Sequence, residues 1–276
     1  MEVLFGGISS LLYGVADFLG GEGAKRVSAA SVVLWAGTLS FPVLLVVALV
    51  VGGEAIGRDY ILGALAGIMG GLGLIILFAG LSRGHAAAVA PVAAAVGAVV
   101  PVVAALIEGE TPSTLSWLGV VLAVPAIMLC AWVVDTGDVA GGGLLYGLAA
   151  GLGFGGFSVL IRLTSESSNL LPLIASRAAT VMVPLALAGL GVWQVDRFKR
   201  TPRSLIGANA LLDVSGNVAL LYALRAGSLA SGAVAASFYP AITVIMARTI
   251  NDEHLSRRQI LGLLLAVLAM AAIALG

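Results

Sequence analysis

The chain has 276 residues, 60% of them hydrophobic and only 10% charged, with 14 basic and 14 acidic side chains and a mean hydropathy of +1.11. A water-soluble domain carries roughly a quarter of its residues as charges, so this composition excludes a surface wetted on all sides and indicates a polytopic membrane protein. The zero net charge argues against a nucleic-acid partner, and the single cysteine, Cys130, permits neither an internal disulfide nor a cysteine-based metal site.

The first apolar run, 3–21, lacks the positive n-region that opens a signal peptide and reads as a retained first helix. Within it Ser9, Tyr13 and Asp17 recur at steps of four, which a helix places on one face. Further apolar runs follow at 30–52, 60–82, 86–107, 115–134, 141–162, 170–192, 204–224, 229–249 and 258–276, each about the length of one bilayer crossing. The connections are short and hold most of the charge, as in "GGEAIGRD", "DRFKRTPR" and "NDEHLSRR". The third run carries Gly63, Gly67 and Gly71 and the sixth carries Gly147, Gly151 and Gly155, a spacing that lets helix backbones approach closely. The sixth run also holds Phe154, Ser158 and Arg162, a loose counterpart of the polar stripe in the first.

In the seventh run, Arg177 lies about eight residues from the start, roughly 12 Å deep at helical rise. The eighth contains "NALLDVSGN", in which Asn209, Asp213 and Asn217 again share one helix face. An acid at the middle of a span costs roughly 2.5 to 3.5 kcal/mol, so Asp213 is expected to face protein or water. It lies about 16 Å from the same membrane face by the same rise, within reach of Arg177, and the two form a natural pair. The ninth run adds Phe238, Tyr239 and Pro240, an aromatic patch beside a proline that frees a backbone carbonyl and permits bending.

Residues 77–132 align without gaps to 220–275 at a constant offset of 143, with 18 identities in 56 positions. Glu110 matches Glu253, Gly84 matches Gly227, and Leu118-Gly119 match Leu261-Gly262. The first two helices of each half align more weakly near an offset of 142, with Trp35 opposite Arg177. Each half, 1–138 and 139–276, therefore holds five helices within one membrane domain. An odd number forces the halves into opposite orientations, an inverted repeat that characterises secondary transporters with a site near mid-membrane. The offset maps Asn209, Asp213 and Asn217 to Ala66, Gly70 and Leu74, so the polar stripe has no chemical counterpart in the first half.

The repeated pattern "GLSRGHAAAVAPVAAAVGAVVPVVAALIEGETPSTLSWLG" at 80–119 and "ALRAGSLASGAVAASFYPAITVIMARTINDEHLSRRQILG" at 223–262 resembles the drug/metabolite transporter superfamily, in its ten-helix EamA-type branch. The resemblance implies a carrier of small metabolites, often an exporter of amino acids or toxic organic compounds, in the cell (plasma or inner) membrane. Family habit places both termini inside, whereas ten loop-borne basic residues against three favour both termini outside, and orientation stays open.

The expectation is thus an all-α membrane protein of ten transmembrane helices, two inverted five-helix repeats around a central cavity. It would export a small metabolite by alternating access, amino acids leading, with proton coupling through Asp213 as an option. The expected substrate contacts are Asn209, Asp213 and Asn217, with Tyr13, Asp17, Ser158, Arg177 and Tyr239 beside them. The partners expected are the small-molecule substrate, the lipid bilayer and protons, and no cofactor or metal. A lipid-scrambling or accessory protein is the alternative, with an intramembrane enzyme behind it. "GGEGAK" at 20–25 lacks the ending of a phosphate-binding loop, and "LASG" at 229–232 has only the loop-borne His85 and His254 to serve as a base.

Overall fold

The computed structural model describes the chain except for residues 84–85, 108, 110–112, 131–139, 201, 227–228, 252–255 and 276. Its helices are α1 (Glu2–Ala24), α2 (Ala29–Val51), α3 (Gly57–Leu81), α4 (Ala86–Ile107), α5 (Thr114–Cys130), α6 (Ala140–Arg162), α7 (Leu171–Gly189), α8 (Arg203–Ala226), α9 (Leu229–Ala236), α10 (Tyr239–Asn251) and α11 (Arg257–Leu275). Among the described residues there is no strand. Seven helices among the described residues, α1 to α4 and α6 to α8, are long and apolar enough to cross a bilayer. Together with α5, the α9–α10 segment and α11 they account for the ten predicted crossings. Leu49, Val50, Ile61 and Leu145 are among the large apolar side chains left on the outside, as a lipid-facing surface requires.

One expectation is corrected. The sequence predicts a single helix over 229–249, but the structure interrupts it at Ser237 and Phe238. Pro240 has no N–H to continue the helical ladder. Ser237 Oγ donates back to the Ala233 carbonyl at 2.7 Å, and a turn bond from Ala241 N to Phe238 O, 3.2 Å long, starts the second segment. Broken spans of this kind occur where backbone lines a cavity within the protein.

The packing has the symmetry of an inverted repeat. Helix α1 packs on α8 as α6 packs on α3, α2 on α8 as α7 on α3, and α4 on α6 as the α9–α10 segment on α1. The pairs α2 with α7 and α5 with α11 map onto themselves. The predicted boundary between halves, at residues 138 and 139, lies outside the described residues, as do Gly84, His85, Glu110, Gly227, Glu253 and His254.

The two glycine stripes lie in seams between the halves. A Cβ at Gly67 would sit 2.0 Å from the carbonyl oxygen of Ser176, and one at Gly151 would sit 2.6 Å from that of Ala93. Thr180 Oγ1 closes the first seam with a 3.1 Å bond to Gly67 O. A side chain at Gly67 can be accommodated only by moving α7 backbone. Gly67→Leu is accordingly expected to cost about 3 kcal/mol or more and to abolish a monodisperse size-exclusion peak.

Two polar clusters tie the α2–α7 side of the bundle, one at each membrane face. At one face Asp59, fully buried, accepts from Ser165 N (2.8 Å), Ser165 Oγ (3.1 Å) and Ile56 N (3.0 Å). Arg225 adds donors to Asn169 O at 2.9 Å and Thr164 Oγ1 at 2.9 Å. At the other face Asp196 accepts from Ser28 N (2.9 Å) and Ser31 Oγ (3.2 Å), while its own N donates to Ser31 Oγ at 2.6 Å. Trp35 Nε1 donates to Asp196 O at 2.9 Å. Each cluster joins the first half to the second. Asp59→Ala strands two backbone donors, Ile56 N and Ser165 N, and should lower stability by about 1–3 kcal/mol per unsatisfied group, read as a fall in Tm. Asp196→Ala should act similarly but less, because Asp196 is only partly buried.

Candidate functional site

Helix α1 is pinned to α8 by two side-chain bonds to backbone carbonyls, Ser9 Oγ to Gly216 O at 3.0 Å and Asn209 Nδ2 to Ala16 O at 2.8 Å. Gly216 presents a flat patch on which the Tyr13 ring lies, since a Cβ there would be 2.8 Å from the ring. The pins bring the Tyr13–Asp17 stripe of α1 and the Asp213–Asn217 stripe of α8 to one central cavity.

That cavity has a volume of about 90 Å³ and is lined from both halves, by α1, α3, α4, α6, α7, α8 and the α9–α10 break. A water needs roughly 10–15 Å³ on the same measure, so the space holds several waters or a small solute. Seven of the predicted contacts line it: Tyr13, Asp17, Ser158, Arg177, Asp213, Asn217 and Tyr239. Asn209 does not. It is 2% exposed and spends its amide on the α1–α8 pin.

The expected ion pair is present. Arg177 Nη2 lies 2.6 Å from Asp213 Oδ2, and both side chains are buried. Asn217 Nδ2 supports the acid from one turn on, at 2.8 Å from Asp213 O and 3.4 Å from Oδ2. Asp17 is 5% exposed and has no hydrogen bond or ion pair to any described residue. The Tyr239 hydroxyl is buried and has no partner among the described residues. Its ring meets Phe154 edge-on, with centroids 6.4 Å apart at 86°.

The opposite wall was not legible as such from sequence. Gly70, Leu74, Ala93, Ala94, Gly97 and Phe157 line the same cavity as the charged groups. Gly70 and Leu74 are the repeat counterparts of Asp213 and Asn217, and Ala94 is that of Ser237, which also lines the cavity. At these three positions the inverted repeat conserves place while separating chemistry, polar in the second half and small or apolar in the first, although α1 of the first half also brings Tyr13 and Asp17 to the cavity. The repeat offset is the signal by which the apolar wall could have been found.

The EamA-like transporter family model matches residues 1–132 and again residues 141–275. The chain belongs to the EamA-like transporter family. It is therefore a multi-pass membrane protein of a family of small-molecule transporters, and each five-helix half of this EamA-like transporter is a family unit in its own right. No curated protein matches the chain. One solved structure, described as "Crystal structure of protein", has a TM-score of 0.68 at 14% sequence identity, over 99% of this chain and 97% of that chain. At that identity the likeness shows the EamA-like transporter's fold alone.

Proposed function

We propose that the protein moves a small amphipathic metabolite across the cell membrane by alternating access, amino acids being the leading class and export the direction. It does so as a carrier and not as an enzyme. The observation that carries this reading is the buried Arg177–Asp213 pair in the wall of a cavity that both halves line. Charged groups this deep are costly in lipid and serve transport when they face a solute path. A scrambling or accessory protein would instead turn its polar stripes towards headgroups or partner subunits.

In this reading the halves 1–138 and 139–276 move against one another about the cavity. The solute touches Asp213, Asn217, Arg177, Tyr13, Asp17, Ser158 and Tyr239, while Asn209 acts on them through the α1–α8 pin. A proton placed on Asp213 loosens its pair with Arg177, which is the proposed route of proton coupling. Proteoliposome counterflow against an amino-acid panel tests the reading. At least one member should exchange faster than in protein-free vesicles, and an imposed pH gradient should drive its accumulation. If no panel member exchanges, the amino-acid assignment fails. A flat response to pH with exchange intact removes the proton alone.

A further inference from the structure

We propose that the cavity selects its occupant by charge: the preferred solute is a small organic monocation, an ammonium on an apolar body, with Asp17 as its counter-ion. The inference rests on the transport reading and narrows it. Among the described residues three side chains that can carry charge line the cavity, Asp17, Arg177 and Asp213. Arg177 and Asp213 satisfy one another at 2.6 Å. Asp17, buried on the same cavity, is left with neither an ion pair nor a hydrogen bond to any described residue. Counted in their charged forms these side chains sum to one negative charge, and Asp17 has no counter-ion where a lone carboxylate is strongly disfavoured, so a bound cation is what would hold it ionised.

The three solute classes differ in what they do to that sum. An anion adds to it. A zwitterion leaves it unchanged, and its carboxylate reaches Arg177 only by displacing Asp213. A monocation brings it to zero with the Arg177–Asp213 pair intact. A second observation points the same way. Tyr239 lines the cavity that Asp17 lines, and its buried hydroxyl, without a partner among the described residues, is an oxygen able to accept an ammonium N–H. Tyr13 and Phe154 add aromatic rings to the lining, a side-chain type that attracts cations. The wall of Gly70, Leu74, Ala93, Gly97 and Phe157 offers nothing to a second charge and suits an alkyl or aromatic body.

Isothermal titration of the full-length protein in detergent tests this with four ligands of similar size. Leucinamide and lysine carry net charge +1, leucine is a zwitterion and N-acetylleucine an anion. Leucinamide should bind at least about tenfold more tightly than leucine, with N-acetylleucine weakest. Lysine separates two sources of the cation: parity with leucinamide assigns a basic amino acid, weaker binding a simple amine. Asp17→Asn should bring leucinamide to within about threefold of leucine, and Asp17→Glu should keep the preference. Leucine binding as tightly as leucinamide, no binding of either cation, or a preference that survives Asp17→Asn overturns the proposal. If Asp17→Asn does not fold, the ligand series on the unaltered protein decides alone. The transport reading survives such a failure, because it is tested by counterflow and by Asp213 and Gly97 variants.

Discussion

Asp213→Asn is expected to slow counterflow by about a hundredfold, equivalent to roughly 3 kcal/mol lost at the site. Two consequences of the substitution have to be separated. It removes a group that the proposed solute path needs, and it leaves Arg177, 6% exposed, as an uncompensated buried cation. Breaking a buried pair from one side commonly costs about 3–5 kcal/mol, so the single variant should also melt at lower temperature. Replacing both partners by apolar residues, Arg177→Met with Asp213→Leu, removes the stranded charge and should restore Tm to near that of the unaltered protein. If the pair is functional, the double variant stays inactive despite its recovered stability. Recovery of transport together with Tm would mean that the pair only holds α7 to α8, and the assignment of the solute path would be lost.

Gly97→Leu should abolish transport while leaving the fold intact. Gly97 lines the cavity, and a Cβ there would meet nothing closer than Phe154 Cβ at 3.6 Å, an ordinary contact. Gly97→Ala is therefore expected to be tolerated. The further carbons of leucine can extend into the cavity that Gly97 lines, where they would take up much of its 90 Å³. Size-exclusion profile and Tm should match the unaltered protein for both substitutions, with transport lost in the leucine variant alone. The comparison with Gly67→Leu is the control, since there the same added side chain meets α7 backbone at its first atom. Undiminished counterflow in Gly97→Leu would show that the solute passes elsewhere.

The membrane class, the crossings and the inverted halves were legible because each is written as a periodic or repeated property of the chain. Apolar runs of bilayer length need no tertiary knowledge, and the 143-residue offset is a fact of the sequence. Of the site, what could be read was the polar part. Asp213, Arg177 and Asn217 stand out because they are expensive where they are. Asn209 shows the limit of that reasoning. It shares the helical face of Asp213, yet the packing of α1 on α8 commits its amide to the Ala16 pin, a matter of helix packing that spacing does not encode. The small apolar wall is silent in a chain with 37 glycines, where Gly70 and Gly97 look like every other packing residue. The interruption at Ser237–Phe238 was half visible, since Pro240 announces a bend but not two separate helices.

The twin polar clusters bear on how such a bundle opens. With Asp59 fastening one end of the α2–α7 pair and Asp196 the other, that edge behaves as a bound spine. Parting the halves there would rupture several bonds at once, and at both rims of the membrane. The other contacts between the halves, α4 with α9 and α10 and α5 with α11, include the rod interrupted at Ser237–Phe238. A book opens away from its binding, so the leaves should turn on that spine and the mouth should form alternately at the two ends of the fore-edge.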